Sequence, residues 1–436
     1  MACVLVCMLH ACTTKPDTSN VYFSSPQLYI STVKQLNNIV LENNFPPMIA
    51  SRNYAYANIA AYEVMAAVDS VGFQSLYGQI KHFPRIPLPQ QQVNTSLAAL
   101  LAFCKVGSTV TFPEGSMDEY VSMLLHHADS LGMPIAQVKA TQQYAGQVAD
   151  TIIAWSKKDN YAKLRSAAKF TVLDEEGRWQ PTPPMYAQAV EPHWRSIRTL
   201  VLDSASQCKP VPPPAFNVTN TSSVFYKEVK AVMEVGDSAL PQHQEIAMFW
   251  DDNPFKMNVT GHVMYATKKF SPPGHWMNIV GIACKNNQAN FAETIAAYAQ
   301  SAIALFDAFI SCWDEKYRSN YVRPETVINK YFNANWQPFI QTPPFPEYTS
   351  GHAVISAAVA QVLTSHFGNK PFTDSSQMEF GIGARSFTSF TQAAQEAGVS
   401  RFYGGIHYKN SCTVGTLQGE QVGKIVTQRL QLKMAK

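Results

Sequence analysis

Charge is scarce in this sequence. Only 15% of its 436 residues are Asp, Glu, Lys or Arg, and 34 basic against 31 acidic side chains leave a formal net charge of +3. No dense Lys/Arg block appears, so nucleic acid and acidic membrane surfaces are poor candidate partners. Cysteine patterning is missing as well: the eight cysteines form no CxxC pair and no zinc-finger spacing, which argues against a zinc module. Strand signals are almost absent, with a short alternation at Lys169–Leu173 the main instance. There is no low-complexity tract and no repeat period, which excludes solenoid and propeller architectures. What the chain does have is apolar bulk. Hydrophobic residues make up 46%, with 24 Phe, 19 Tyr and 7 Trp, enough for a large core in one extended domain or two.

The opening residues read as a sorting signal. MACVLVCMLHA is apolar and too short to cross a bilayer, and Cys12 and a polar stretch follow it. With Leu9-His10-Ala11-Cys12 as the attachment box, it resembles a bacterial lipoprotein signal. The expectation is export to the periplasm or cell envelope, with a lipid anchor at Cys12 as the only membrane contact. Cys3 and Cys7 would leave with the signal. Cys104, Cys208, Cys284, Cys312 and Cys412 remain; five scattered cysteines make no disulfide framework and read mostly as small buried hydrophobes.

Beyond the leader the apolar spacing is helical. Helices are expected over Leu28–Leu41, Ala50–Ser70, Ser96–Val106, Met117–Leu131 and Pro134–Trp155. His126 and His127 are adjacent, point about 100° apart on a helix and cannot easily share a metal. A proline-rich connection, Lys163–Pro214, follows, with one helical piece near His193–Leu200. Long irregular segments of this kind often strap a domain or serve function. Helices resume over Ser222–Val235, Pro241–Trp250, His275–Lys285, Gln288–Lys316, Ser350–Phe367 and Thr413–Leu432. The fold class is all-α, packed helical bundles with long proline-rich loops. Three regions are expected: a signal and linker at 1–22, a helical region at 23–210, and a second helical domain at 211–436.

Three motifs in the last region carry chemistry. Lys316 and Arg323 are seven residues apart, close to two helical turns, so they are expected on one face. Ser350-Gly351-His352 opens an uninterrupted Ala/Val/Ile run after Pro343, Pro344 and Pro346. A helix start offers unpaired N–H groups to an anion, Gly351 lets that backbone come close, and His352 moves protons near neutral pH. The third motif is Ser400-Arg401-Phe-Tyr-Gly-Gly-Ile-His407. Tetrahedral oxyanions need several cations and N–H donors at once, and these motifs supply both.

The three together resemble the signature of the vanadium-dependent haloperoxidase and type 2 phosphatidic acid phosphatase superfamily. That signature is Lys, six residues, Arg-Pro; then Ser-Gly-His; then Ser-Arg, five residues, His. Trp313, three residues before the lysine, and Phe345, five before the serine, stand where chloroperoxidase-type members place aromatics beside the halide. FWDDNPF, Gly274-His275-Trp276 and RWQPTPPMY look like an exported bacterial branch, and the similarity runs from about Glu175 to Gly423.

The resemblance implies vanadate as cofactor, held by Lys316, Arg323, Ser350, Gly351 and Arg401. His407 would be the axial vanadium ligand and His352 the acid–base group. The substrates would be hydrogen peroxide and halide, with Lys316 polarising the peroxide and hypohalous acid as product. Asp251 or Asp252 is expected to pair with Arg401. One departure stands out: the family's Asp four residues after the axial histidine is Ser411 here, a weaker partner for the second ring nitrogen. Two alternatives follow from the same residues. One is an acid phosphatase acting through a phosphohistidine at His407, with no vanadate. The other is a non-catalytic exported lipoprotein that keeps the fold.

Overall fold

Capping signals and apolar periodicity fix most of the helices. The computed structural model describes residues 17–432 except 239, 254–256, 261, 262, 267 and 268; the expected lipid anchor at Cys12 lies outside the described residues. The first seven helices are α1 (Ser19–Phe23), α2 (Pro26–Glu42), α3 (Pro47–Val68), α4 (Thr95–Val110), α5 (Asp118–Ser130), α6 (Ile135–Ser156) and α7 (Tyr161–Leu164). After the proline-rich connection come α8 (Val224–Ser238), α9 (Pro241–Phe249), α10 (Pro272–Asn286) and α11 (Phe291–Ser319). The last four are α12 (Pro324–Tyr331), α13 (Gly351–Phe367), α14 (Phe390–Tyr403) and α15 (Lys409–Arg429). Proline at the first turn starts α2, α3, α9, α10 and α12, where its missing N–H costs nothing. Asn290 and Glu293 close a capping box on α11.

Helix α11 is the axis of the molecule. Its residues from Phe291 to Lys316 are almost all buried, as expected of a helix that is apolar on every side. Helix α3 packs along it from the first half of the chain, and α13 from the second. One apolar core draws residues from Phe23 to Leu432, on both sides of the expected boundary at residues 210 and 211. Helices α13 and α15 approach so closely that a Cβ on Gly419 would stand 2.0 Å from the Val354 carbonyl oxygen.

The proline-rich connection straps over the C-terminal end of α11. The Val190 N–H donates to the Pro344 carbonyl (3.0 Å), and the Val190 carbonyl accepts from Trp313 Nε1 (3.2 Å) and the Tyr317 hydroxyl (2.6 Å). Further along, the buried Asp307 carboxylate of α11 accepts the N–H groups of Leu200, Val201 and Leu202 at 2.7–2.9 Å. That capture keeps the segment extended: in place of the expected His193–Leu200 helix there is a single 3₁₀ turn, Trp194–Ser196.

Lys169–Leu173 forms no strand. Strands among the described residues are two antiparallel pairs, β1 (Met257–Thr260) with β2 (Val263–Ala266) and β3 (Phe372–Asp374) with β4 (Arg385–Phe387). Helices α12 and α14 are additions to the sequence expectation: α12 is amphipathic but only eight residues long, and α14 has almost no apolar periodicity. His126 is exposed, while His127 stacks on Tyr22 at 5.1 Å.

Candidate oxyanion site

The ends of five helices meet at one site. Lys316 lies in the last turn of α11, which Asn320 ends in the left-handed region (φ 47°). The chain then reverses, and Arg323 becomes the extended residue before α12. Lys316 and Arg323 therefore converge across a chain reversal, and the expected shared helical face does not exist. Ser350 precedes α13 in extended conformation and Gly351 is its first residue. Arg401 is in the last turn of α14, and His407 sits in the turn before α15.

The cations are buried and held by backbone carbonyls. Lys316 Nζ donates to Pro346 and Glu347 carbonyls (both 3.0 Å). Arg323 donates from Nε to Phe345 (3.0 Å) and from Nη1 to Ile406 (2.9 Å). Arg401 Nη1 donates to Trp250 (2.8 Å). Among the described residues, no carboxylate lies within 4 Å of any of the three charged groups. Burial lowers Lys316 to about 8 and Arg323 to about 10. It also lowers Arg401, against the pull of Asp251 and Asp252.

Polar groups are left over. Arg323 Nη2, Arg401 Nε, Ser350 Oγ and His352 Nε2 are buried without hydrogen-bond partners. A buried unpaired polar group costs about 1–3 kcal/mol, more when charged, so a cluster of them marks a receptor awaiting a ligand. Arg401 and His352 line one pocket with Trp313, Phe345, Gly351 and His407, with Asp252 at its wall; Arg323 stands behind His407 and Ser350 directly precedes Gly351. Trp313 and Phe345 pack at 5.0 Å, and Lys316 Nζ lies 5.8 and 5.1 Å from their ring centroids. Three cations, a hydroxyl and a helix start fit a tetrahedral oxyanion such as vanadate or phosphate.

The second ring nitrogen of His407 has a partner that sequence reasoning missed. Glu347 Oε1 lies 2.7 Å from His407 Nδ1 and also accepts the Tyr408 N–H (3.1 Å). With Nδ1–H donated to Glu347, the lone pair stands on Nε2, where Arg323 Nη1 meets it at 3.1 Å. Burial raises Glu347 to about 7, although Arg323 and Lys316 pull it down. Burial and the same two cations hold His407 well below the usual histidine range, so its ring is neutral. Ser411 is buried; its hydroxyl helps hold the Glu347 charge without meeting hydrogen-bond geometry. The carboxylate absent at position 411 is thus supplied by Glu347. The signal was present: Glu347 is the one acid in the apolar run from Thr342 to Ser350, a place where carboxylates are rare unless paired.

His352 keeps 15% side-chain exposure, and its Nε2 is 4.0 Å from Asp252 Oδ2. Burial, Arg401 and His275 hold it well below its ordinary value, while the Trp250 carbonyl favours its proton. The expected Arg401 pairing takes a different form. Asp252 bonds His275 (2.9 Å) and Gln377 (2.6 Å), and both Asp251 and Asp252 act on Arg401 through their fields.

Residues 296–436 match the family model described as the second helical-bundle domain of VCPO. No curated protein matches the chain. Among solved structures, a bacterial vanadium-dependent iodoperoxidase is 43% identical with a TM-score of 0.89, over 95% of this chain and 98% of that one. Holo and apo forms of a bacterial vanadium-dependent chloroperoxidase are 16% and 17% identical. Each has a TM-score of 0.66, over 88% of this chain and 92% and 94% of theirs, and they establish likeness of fold.

Proposed function

This chain belongs to the vanadium-dependent haloperoxidase family, and from that premise we propose that it oxidises halide with hydrogen peroxide at vanadate held in the Lys316–Arg323–Arg401 pocket. The observation that carries the proposal is the set of unpaired groups, Arg323 Nη2, Arg401 Nε and Ser350 Oγ, around a histidine whose lone pair stands on Nε2. Those groups and the Gly351 N–H would hold the anion, and His407 Nε2 would offer it a lone pair. Bound vanadate supplies a Lewis-acid centre that activates peroxide. Glu347 keeps His407 in the tautomer that presents Nε2. His352, neutral in this environment, takes and returns a proton at Nε2. Lys316 would supply positive charge beside the anion, and Trp313 and Phe345, packed next to Lys316, would exclude water and shape the halide's place.

Iodide is the halide we propose, because the relative at 43% identity is an iodoperoxidase and iodide is the easiest of the three common halides to oxidise. The test is peroxide-dependent oxidation of iodide, bromide and chloride by vanadate-loaded and vanadate-free protein, beside phosphoester hydrolysis. The expected outcome is iodide oxidation that needs vanadate. Hydrolysis inhibited by vanadate, without oxidation, would replace this reading with the phosphatase, and neither activity would leave an oxyanion-binding lipoprotein. Export and lipidation at Cys12 are a separate proposal, supported by the apolar run before that residue. Metabolic labelling with a fatty-acid analogue should tag the wild type and not Cys12→Ser, and an untagged wild type refutes it.

A further inference from the structure

An anion pocket with a carboxylate in its wall needs an explanation. Asp252 lines the oxyanion pocket and is 1% exposed; uncompensated, it would repel the ligand that Arg401 is there to hold. The compensation lies behind it. His275 of α10, wholly buried, places Nδ1 2.9 Å from Asp252 Oδ2 and Nε2 2.8 Å from Asp374 Oδ2 of β3. Asp374 is closed on its far side by the N–H (2.8 Å) and hydroxyl (2.6 Å) of Ser376. Asp252 Oδ1 accepts from Gln377 Nε2 (2.6 Å). Trp250 covers the imidazole face at a centroid distance of 4.8 Å, a favourable contact for a cation. Gln377 Nε2 also stands 3.1 Å from His275 Nδ1, longer than its 2.6 Å bond to Asp252. A neutral imidazole has one N–H and cannot donate to two carboxylates, so the two short carboxylate contacts call for the imidazolium. Burial opposes that charge, yet Asp252 and Asp374 together raise the ring to about 10.

We propose that Asp252, His275 and Asp374 form a buried carboxylate–imidazolium–carboxylate chain that keeps Asp252 charge-compensated beside Arg401 and His352, making His275 a positioning residue for the oxyanion pocket. The charged and titratable groups facing the pocket end are Arg401, His352, Lys316 and Asp251. Those facing His275 are Asp252 and Asp374. The chain lets an acid fix the helix ends around the pocket without lowering its attraction for an anion. The inference rests on the oxyanion reading for the choice of ligand only.

Two measurements test it. Histidine-selective nitrogen NMR of the wild type without added anion should show His275 with both ring nitrogens protonated through about pH 8, above the ordinary histidine range. A single-tautomer neutral ring overturns the proposal whatever the enzyme does. Asp374→Asn removes the outer carboxylate, which does not line the pocket. It should lower the pH at which His275 loses its proton and, at about pH 9, weaken orthovanadate binding about tenfold relative to wild type. At about pH 6, where the ring stays charged in both proteins, the ratio should return to one. Taking the ratio cancels the titrations of Lys316 and of vanadate itself, and Asp374→Glu should restore it. An equal loss at both pH values marks a structural role and overturns the proposal, as does no loss at either. Failure of the wild type to bind vanadate at all would instead refute the oxyanion reading and leave the NMR result standing.

Discussion

At the scale of single residues, Glu347 decides how His407 behaves. Glu347→Gln keeps an acceptor for Nδ1–H but removes its charge, and orthovanadate affinity should fall about 10–100-fold by calorimetric titration. Ser411→Asp would put a second carboxylate beside Glu347, so it should weaken binding or leave it unchanged; tighter binding would show that Glu347 does not suffice. The same residue leaves a mark on stability. Glu347 holds its proton up to about 7 in the folded protein against 4.5 as the ordinary value, so the folded state binds more protons across that window. The anion-free protein should lose stability as pH rises from 4.5 to 7, and Glu347→Gln should lose less. Lys316 gives the opposite sign. Its ammonium is disfavoured from about 8 upward against an ordinary 10.5, so the free protein gains stability above pH 8. Over that range the thermal shift produced by vanadate should shrink, since the bound anion needs the charge. Thermal melts across pH, with and without vanadate, check both slopes.

At the scale of elements, the site depends on how closely α13 and α15 pack. Ser350 and Gly351 stand at one end of that crossing, and Gly419 is where the backbones nearly touch. Gly419→Ala should destabilise the protein by about 1–3 kcal/mol and loosen vanadate binding by shifting the start of α13. Gly383→Ala, with open space around its Cβ position, should change neither, as read by melting temperature and titration. Helix legibility followed physical signals unevenly. Helices with an apolar stripe or an all-apolar core, such as α2, α11 and α13, were readable to within a few residues. Helix α14 was not, because its Phe390–Tyr403 sequence mixes Gln, Ala, Glu and Gly with little periodicity. The Lys316–Arg323 spacing misled for a local reason: Asn320 in the left-handed region turns the chain, and asparagine adopts that region far more readily than most residues. The motif residues converged even though the geometry assumed for them was wrong. What motif spacing could not reveal was their support, since Glu347, His275 and Asp374 reach the site from loop, helix and strand far apart in sequence.

At the scale of the whole molecule, the two sequence regions share one core, and α11 joins them. Asp307, midway along it, gathers the strap through three amide donors. Asp307→Ala would leave those donors buried without a partner. About 3 kcal/mol or more of stability should be lost, measured by denaturant unfolding, with added protease sensitivity in residues 163–214. A different role for that carboxylate follows from the composition of the helix that bears it. Phe291–Ser319 is long and apolar enough to cross a bilayer, although in the folded protein its most apolar stretch is fully buried. Under the export proposed above, secretion machinery would meet this stretch in a nascent, still unfolded chain as a candidate stop signal. An aspartate near the centre of a nascent hydrophobic segment raises the cost of insertion by about 2.5–3.5 kcal/mol. The residue that anchors the strap after folding would thus have acted earlier, keeping the segment from lodging in the membrane. Fused to a topology reporter, the wild-type segment should be translocated and the Asp307→Leu segment retained.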